Sequence, residues 1–584
     1  MKNMNDSKGS GGSWIKDLIL LGLLISLLFG LLLGQRFLQV PDEGRYVEIP
    51  REMLALHDYI TPHINGIKYF EKPVFFYWLE AAILKLCGLH LWSVRIPSAF
   101  MALLGCLFTY AAARKLYGRG CGILAALMLS SSLLYFIMAR TVTIDMTLST
   151  LLTGSLFCFL MGTRESAYKI ARRYFWAMYV FAGLAVLTKG LIGIIFPGMI
   201  IFCWTLIHGE WKNLKNWCIP SGFLIVLLIN LPWHILVQLR NPEFFNFYII
   251  QQQFLRYFTD YAGREQPFWF FPVVLFLGFL PWIFFFLQSI WFSLSGLSFK
   301  DKASRNSLET KASVFLLLSV FLIYAFFQFS HSQLMPYLLP IFPPMSVLLA
   351  RYFCAMGDIK RGDRGSLPVF AGLVGLAIFC IVLVGFVGLL AFGFFGGAEQ
   401  LIPGVNLFYL EISALIFLAM TGFAVFSYRA KTVAHVAIVL ALGMSCFCIS
   451  ILINRQAFEL NSVQPLAMKI LSAGDKAEYK AEYKVFDYLD YHQDLPVYLE
   501  HRVILVNDSR AGLGELSFGA AHQDMTGFLV TTPDFWQKEW KSDEGSGAKL
   551  FMVISTENYK NLTPEQQSRL HILEKTTRNI LATP

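Results

Sequence analysis

Long apolar runs separated by short polar breaks fill the first three quarters of the chain and then cease. Hydropathy predicts about thirteen helical spans, at 16–36, 91–113, 119–138, 145–162, 174–188, 190–207, 218–239, 268–293, 312–330, 336–353, 367–392, 405–427 and 432–453. A hydrocarbon core of roughly 30 Å takes about 20 such residues to cross. Between 37 and 90 the pattern changes to mixed charged and aromatic residues, so a long loop on one side of the membrane is expected there. After Asn454 the apolar runs shorten to Val503–Val506, Phe528–Thr531 and Leu550–Ile554, separated by polar turns, which predicts a small α/β domain. Thr563-Pro564-Glu565-Gln566 offers a capping residue, Pro at the first helical position and Gln three residues on, so a helix should start there. The expected architecture is a multi-pass α-helical membrane unit over 1–453 followed by a C-terminal α/β domain over 454–584. The near-duplication Ala477-Glu-Tyr-Lys, Ala481-Glu-Tyr-Lys is too short for a structural repeat and reads as a charged linker.

Composition agrees with this pattern. Of 584 residues 56% are hydrophobic, 16% aromatic and only 15% charged, a balance that excludes a soluble globular protein of this size. The net charge of +9 raises the question of nucleic acid. The Lys and Arg residues sit in short loops between spans, however, without the spacing of a nucleic-acid motif, so they read as topological anchors. An N-terminus on the inner side puts Arg114/Lys115/Arg119, Arg164/Lys169/Arg172/Arg173, Lys212/Lys215, Lys300/Lys302/Arg305/Lys311, Arg351/Lys360/Arg361/Arg364 and Arg429/Lys431 in the cytoplasm. The connections at 331–335 and 394–404 then lie outside, without Lys or Arg, and an odd number of spans leaves the C-terminal domain extracytoplasmic. None of the ten cysteines follows Cys448 and only Cys87 falls in an outer loop, which argues against a disulfide framework. The run Leu18 to Leu33 lacks a small-residue cleavage signature and reads as a retained span, not a signal peptide.

The unusual polar residues gather on the outer side. Loop 37–90 holds Pro41-Asp42-Glu43-Gly44-Arg45-Tyr46, Arg51-Glu52 and Tyr69-Phe70-Glu71-Lys72-Pro73. Each charge taken singly is explained by interfacial solvation; together, opposite charges where a span ends suit a charged lipid headgroup. Asp145, at the outer junction of two spans, is either a site carboxylate or a helix cap. Lys189 either contacts substrate or snorkels to the interface. Segment 240–267 brings Gln251-Gln252-Gln253 and Arg256-Tyr257, whose aromatics fit sugar stacking or an interfacial belt. Ser330-His331-Ser332-Gln333-Leu334-Met335-Pro336-Tyr337 is a Pro-bounded re-entry, and His331 there is a functional group or simply a hydrogen-bonded interfacial one. A transporter would place polar groups at midplane on paired broken helices, and no such pairing is visible.

Asp42-Glu43-x-Arg45-Tyr46-x-Glu48-Ile-x-Arg51-Glu52-Met53, Tyr69-Phe70-Glu71-Lys72-Pro73, Asp145, Leu187-Thr-Lys189-Gly190 and Pro336-Tyr337-x-Leu339-Pro340 resemble the polyprenyl-phosphate-aminoarabinose lipid A transferases, within the protein-O-mannosyltransferase-like GT-C class. The similarity extends to Gln493-Asp494-Leu495-Pro496-x-Tyr498-Leu499 and Gly514-Glu515-Leu516. The resemblance implies a GT-C fold with thirteen spans in a bacterial inner membrane, the C-terminal domain being periplasmic. It implies a polyprenyl (undecaprenyl) phosphate-linked monosaccharide donor, with 4-amino-4-deoxy-L-arabinose the expected sugar. The acceptor is a lipid whose phosphate is glycosylated: lipid A in the archetype, where the modification lowers negative charge and confers resistance to cationic peptides.

Carried over by motif, Asp42 and Asp145 are the key carboxylates; charge build-up on the leaving phosphate calls for fixed cations, and Lys72 and Arg45 are expected to supply them. Glu43, Tyr46, Tyr69, Glu71, Lys189, Arg256 and Tyr337 are expected to bind substrate. No cofactor is required. Two departures stand out: Gln251-Gln252-Gln253 replaces a His-containing segment, which weakens the case for a metal shared with Glu71, and Ser332-Gln333-Leu334-Met335-Pro336 replaces Ser-Lys-Leu-Pro, losing a cation. A phosphate acceptor needs no base, whereas a hydroxyl acceptor would need Asp42 or Asp145 to take its proton. The competing readings are a related transferase with another sugar, glycolipid or protein acceptor, and a flippase of lipid-linked intermediates, which would tolerate loss of Asp42.

Overall fold

A computed structural model describes residues 11–259, 263–295, 297, 307–356, 367–392, 406–430, 433–453, 462–474, 483–540 and 549–584. Every expected span coincides with helix among these residues. Ten are apolar helices long enough to cross a membrane, from Ser13–Gly30 to His435–Leu452. Two are broken: Arg119–Ser130 and Leu133–Ala139 meet at 69°, and Phe270–Gly278 and Ile283–Ser295 at 99°. The thirteenth, Ile192–His208, has only 17 residues, about 26 Å of helix. The single and broken helices therefore supply ten to twelve crossings, against the thirteen expected. The 394–404 connection, residues 477–482 of the linker and the basic residues Lys300, Lys302, Arg305, Lys360, Arg361, Arg364 and Lys431 lie outside the described residues.

Helix Ile144–Arg164 is the most enclosed span, 94% buried in its apolar window. Its small polar residues, Thr147, Ser149, Thr150, Thr153 and Ser155, let neighbouring helices approach closely. Its N-terminal end carries Asp145.

Loop 37–90 is folded. After the first helix, α1 (Gly11–Gly30), the chain forms α2 (Asp42–Leu56), a hairpin of β1 (His63–Ile64) and β2 (Ile67–Lys68), and α3 (Phe75–Cys87). Asn65-Gly66 makes the hairpin turn with both φ values positive, the conformation this dipeptide favours. Arg95 locks the segment down, donating to the carbonyls of Leu33, Arg36 and Phe37 and to both carboxylate oxygens of Glu43.

The C-terminal domain is built on a six-stranded sheet of β3 (Tyr483–Tyr488), β4 (Ile504–Val506), β5 (Leu529–Val530), β6 (Lys549–Ser555), β7 (His571–Lys575) and β8 (Asn579–Thr583). The order is β5-β4-β3-β6-β8-β7: the first four strands run parallel and the last two add antiparallel pairs. All three predicted strand segments are present, and the capping box at Thr563 opens Pro564–Ser568 as expected. One face of the sheet packs on its own aromatics, Phe535, Trp536 and Trp540. The other shares one hydrophobic core with α2 and the hairpin, where Val47, Ile64 and Ile67 meet Leu495, Leu516 and Ala520.

That junction is close. The Asn65 amide exchanges two hydrogen bonds of 2.9 Å with the backbone of Val503, in the manner of an added strand. A Cβ on Gly44 would stand 2.6 Å from Asp494 N, so glycine is what lets α2 touch the domain's backbone.

Candidate active site

Helix α2 begins with Asp42 and Glu43 in its first turn, where the helix N-terminus favours negative charge. Their side chains face different surroundings. Asp42 is 58% exposed and accepts from Arg45 one turn on. Glu43 is fully buried; Arg36, Arg95 and the amides of Gln39 and Val142 all donate to it. Burial alone would raise the Glu43 pKa, but the two guanidiniums reverse this and hold it at about 2.

Asp145 is not the cap of its helix. Thr143 caps it, accepting from the Asp145 amide at 3.2 Å, which leaves the carboxylate to pair with Lys189. The Lys189 ammonium also lies 4.2 Å from the centre of the Tyr337 ring, a cation–π contact, so it is held between carboxylate and aromatic instead of extending along the membrane surface.

These groups surround one cavity of about 400 Å3, within the size range of small-molecule sites. Ten of the eleven residues expected from sequence line it: Asp42, Glu43, Arg45, Tyr46, Glu71, Lys72, Asp145, Lys189, Arg256 and Tyr337. The eleventh, Tyr69, is buried behind Arg45, whose Nη1 donates to its hydroxyl at 3.4 Å. Glu43 reaches the wall of the cavity, but its carboxylate is committed to the anchoring contacts above.

Glu71 is the counter-ion of the cationic wall, 3.9 Å from Lys72 Nζ and 3.4 Å from Arg256 Nη1. Burial raises its pKa, and Lys72, Arg45, Arg256 and Arg264 together bring it down to about 2. Lys72 experiences the reverse: burial, then the nearby Arg256, push its pKa well below the usual lysine value despite Glu71. A buried ammonium among guanidiniums and another ammonium is poised for a bound anion.

Sequence reasoning assigned no role to Glu515, yet it reaches the site's edge from the C-terminal domain and pairs with Arg45. Its Oε1 accepts from Gln493 Nε2 at 3.0 Å. The motif containing it was visible, but nothing in a linear reading brings position 515 beside position 45. Arg264 and Gln266 also line the cavity and were not singled out.

Gln252 accepts from Arg256 at 3.0 Å and Gln253 from the Leu191 amide at 3.3 Å. Among the described residues no three His, Cys, Asp or Glu side chains converge as a ligand set. Gln333 lines the cavity while its amide donates to the carbonyls of Gln328 and Ser330 at 3.1 Å, bracing the re-entrant turn. His331 pairs with Glu265 and does not line the cavity.

A second chamber, of about 230 Å3, adjoins the first. Its wall is largely apolar, with Ile192, Ile195, Phe254, Phe326 and Phe327, and it shares Lys72, Lys189, Arg256 and Tyr337 with the polar cavity. The cations thus stand where polar and apolar spaces join, as an amphiphile with an anionic head requires.

Two family models match the chain: dolichyl-phosphate-mannose-protein mannosyltransferase over residues 71–235, and aminoarabinose transferase C-terminal domain over 473–583. The undecaprenyl phosphate-alpha-4-amino-4-deoxy-L-arabinose arabinosyl transferase of Yersinia enterocolitica is 30% identical over 394 residues, covering 66% of this chain and 68% of its own. The protein of that name in Serratia proteamaculans is 25% identical, covering 98% of both chains. The crystal structure of ArnT from Cupriavidus metallidurans bound to undecaprenyl phosphate matches with a TM-score of 0.81 at 26% identity, over 98% of each chain. Its apo state gives 0.80.

Proposed function

This chain belongs to the undecaprenyl phosphate-4-amino-4-deoxy-L-arabinose arabinosyl transferases, and on that premise we propose that it moves aminoarabinose from undecaprenyl phosphate onto a phosphate of lipid A. The observation that carries this reading is the junction of the two cavities. Lys72, Lys189 and Arg256 sit where a polyprenyl phosphate would have its head in the polar cavity and its tail in the apolar chamber.

In the proposed reaction an acceptor phosphate oxygen attacks the anomeric carbon, and the bond from that carbon to the carrier phosphate oxygen breaks. Negative charge builds on the leaving undecaprenyl phosphate. Fixed cations in a water-poor cavity stabilise it better than water would, and Lys72 and Arg256, both beside Glu71, are placed for this. Arg45 is held by Asp42 and Glu515 and contributes from the roof. The acceptor is already an anion and needs no base; Asp42 orients Arg45 and stabilises the oxocarbenium-like sugar. Asp145 fixes Lys189. No step needs a cofactor. The N-terminus is assigned to the cytoplasm and the outer domain to the periplasm, supported by the basic loops.

The test is mass spectrometry of lipid A from a polymyxin-sensitive host that lacks its own transferase, complemented with this chain or with Asp42→Asn. A pentosamine mass added by the wild type alone is the expected result. Its absence, with good expression and an available donor, would refute aminoarabinose transfer to lipid A.

A further inference from the structure

Another cavity lies beside the catalytic one, and the reaction as proposed does not use it. Leu33, Phe136, Ile137, Ile451 and Leu452 give it an apolar wall between the outer ends of α1, Leu133–Ala139 and Val433–Ile453. Arg36, Arg95 and Arg140 also line it. Among the described residues one carboxylate, Glu43, pairs with this group, and it contacts Arg36 and Arg95. Arg140 pairs with no carboxylate of the described residues.

Arg140 is 6% exposed. Its Nη1 donates to the carbonyls of Leu28 and Phe29, capping α1. Capping accounts for that nitrogen alone. Among the described residues the buried Nε has no acceptor and Nη2 no recipient, and the guanidinium otherwise meets only the face of Phe136, 5.5 Å from the ring centre. A guanidinium this enclosed is costly unless an anion meets it, and the planar fork suits a phosphate. Arg36 connects the two cavities: its Nη2 donates to the Arg140 carbonyl at 3.3 Å and to Thr141 Oγ1 at 3.4 Å, and Thr141 lines the catalytic cavity. Gln39 lines both.

We propose that this cavity is an acceptor subsite, in which an acyl chain of the acceptor lipid fills the apolar space while Arg140 and Arg36 hold a phosphate other than the one being glycosylated. The proposal rests on the acceptor being a phosphorylated lipid, as argued above. Donor and acceptor then approach the reacting atoms from different flanks, the donor through the chamber shared with Lys72 and Lys189, the acceptor past Gln39 and Thr141.

The experiment uses full-length enzyme in lipid nanodiscs at saturating donor, titrated with two acceptors of identical acyl chains that carry two phosphates or one. Arg140→Gln should raise KM for the bisphosphorylated acceptor by about tenfold, the loss expected for a charge-assisted hydrogen bond. It should leave kcat and the donor KM unchanged, remove the preference over the monophosphorylated acceptor, and be partly rescued by Arg140→Lys. An equal change for both acceptors, an altered donor KM or no change would overturn the subsite. If Arg140→Gln does not fold, Ile451→Trp fills the cavity and keeps the arginines. It should raise KM for a long-chain acceptor but not for a short-chain one, and an unaltered long-chain KM would overturn the proposal. Should neither acceptor be turned over by the wild type, the transfer reaction itself is refuted. Native mass spectrometry of the bisphosphorylated lipid on wild type and Arg140→Gln then decides the subsite separately, equal retention rejecting it.

Discussion

Asp42 and Glu43 are neighbours in sequence, in charge and in helical turn, and their carboxylates meet different surroundings. Asp42 looks into the cavity with one bonded partner, Arg45. Glu43 looks into the protein, where side chains and backbone amides saturate it. A reacting site needs a carboxylate with acceptor capacity to spare, and a junction between helices needs one with none.

The sharpest way to break this comparison is to neutralise each in turn. Asp42→Asn should cost at least about a thousandfold in kcat with the melting temperature unchanged, because its side chain is largely in solvent. Equal losses of activity and stability would show that the two roles are not separate. Glu43→Gln should destabilise the fold by about 3–5 kcal/mol, the cost of leaving a buried charge unpaired, measured as a fall in thermal midpoint in detergent. Its pH dependence has a definite sign. With a folded pKa of about 2 against an ordinary 4.5, the carboxylate contributes stability above about 4.5 that is lost as pH falls toward 2. The variant should lack that acid limb.

Smaller effects refine the picture. Glu515→Gln removes one of the two carboxylates on Arg45 and should lower kcat/KM by about tenfold with folding intact; no change in turnover would exclude the C-terminal domain from catalysis. The smallest effect is expected at Lys72. Its depressed pKa rises when a phosphate binds, so donor binding takes up a proton, and affinity is greatest at low pH and falls as pH rises. Donor KM measured against pH should therefore climb severalfold on the alkaline side in the wild type and stay flat in Lys72→Arg.

Much of this was legible in the sequence, for a physical reason. Hydrophobicity reports environment, and a membrane makes environment a one-dimensional signal, so all thirteen apolar segments were found. Direction is a different property. The bends of 69° and 99° depend on packing, and no count of apolar residues contains them. The cavity was legible because ionisable residues are costly beside hydrocarbon, so their clustering needed a cause. Glu515 was not, because its role depends on a contact across 470 positions. The folded character of loop 37–90 had a sequence signal, Asn65-Gly66 between Ile64 and Ile67, that marks a hairpin turn.

The meeting of Gly44 with Asp494, and of Arg45 with Glu515, also has a temporal side. A ribosome makes Arg45 hundreds of codons before it makes Glu515. A nascent chain halted within the membrane unit would hold Asp42 and Lys72 but leave Arg45 without its second partner. The arrangement around Arg45 is therefore completed only when the C-terminal domain has been translated.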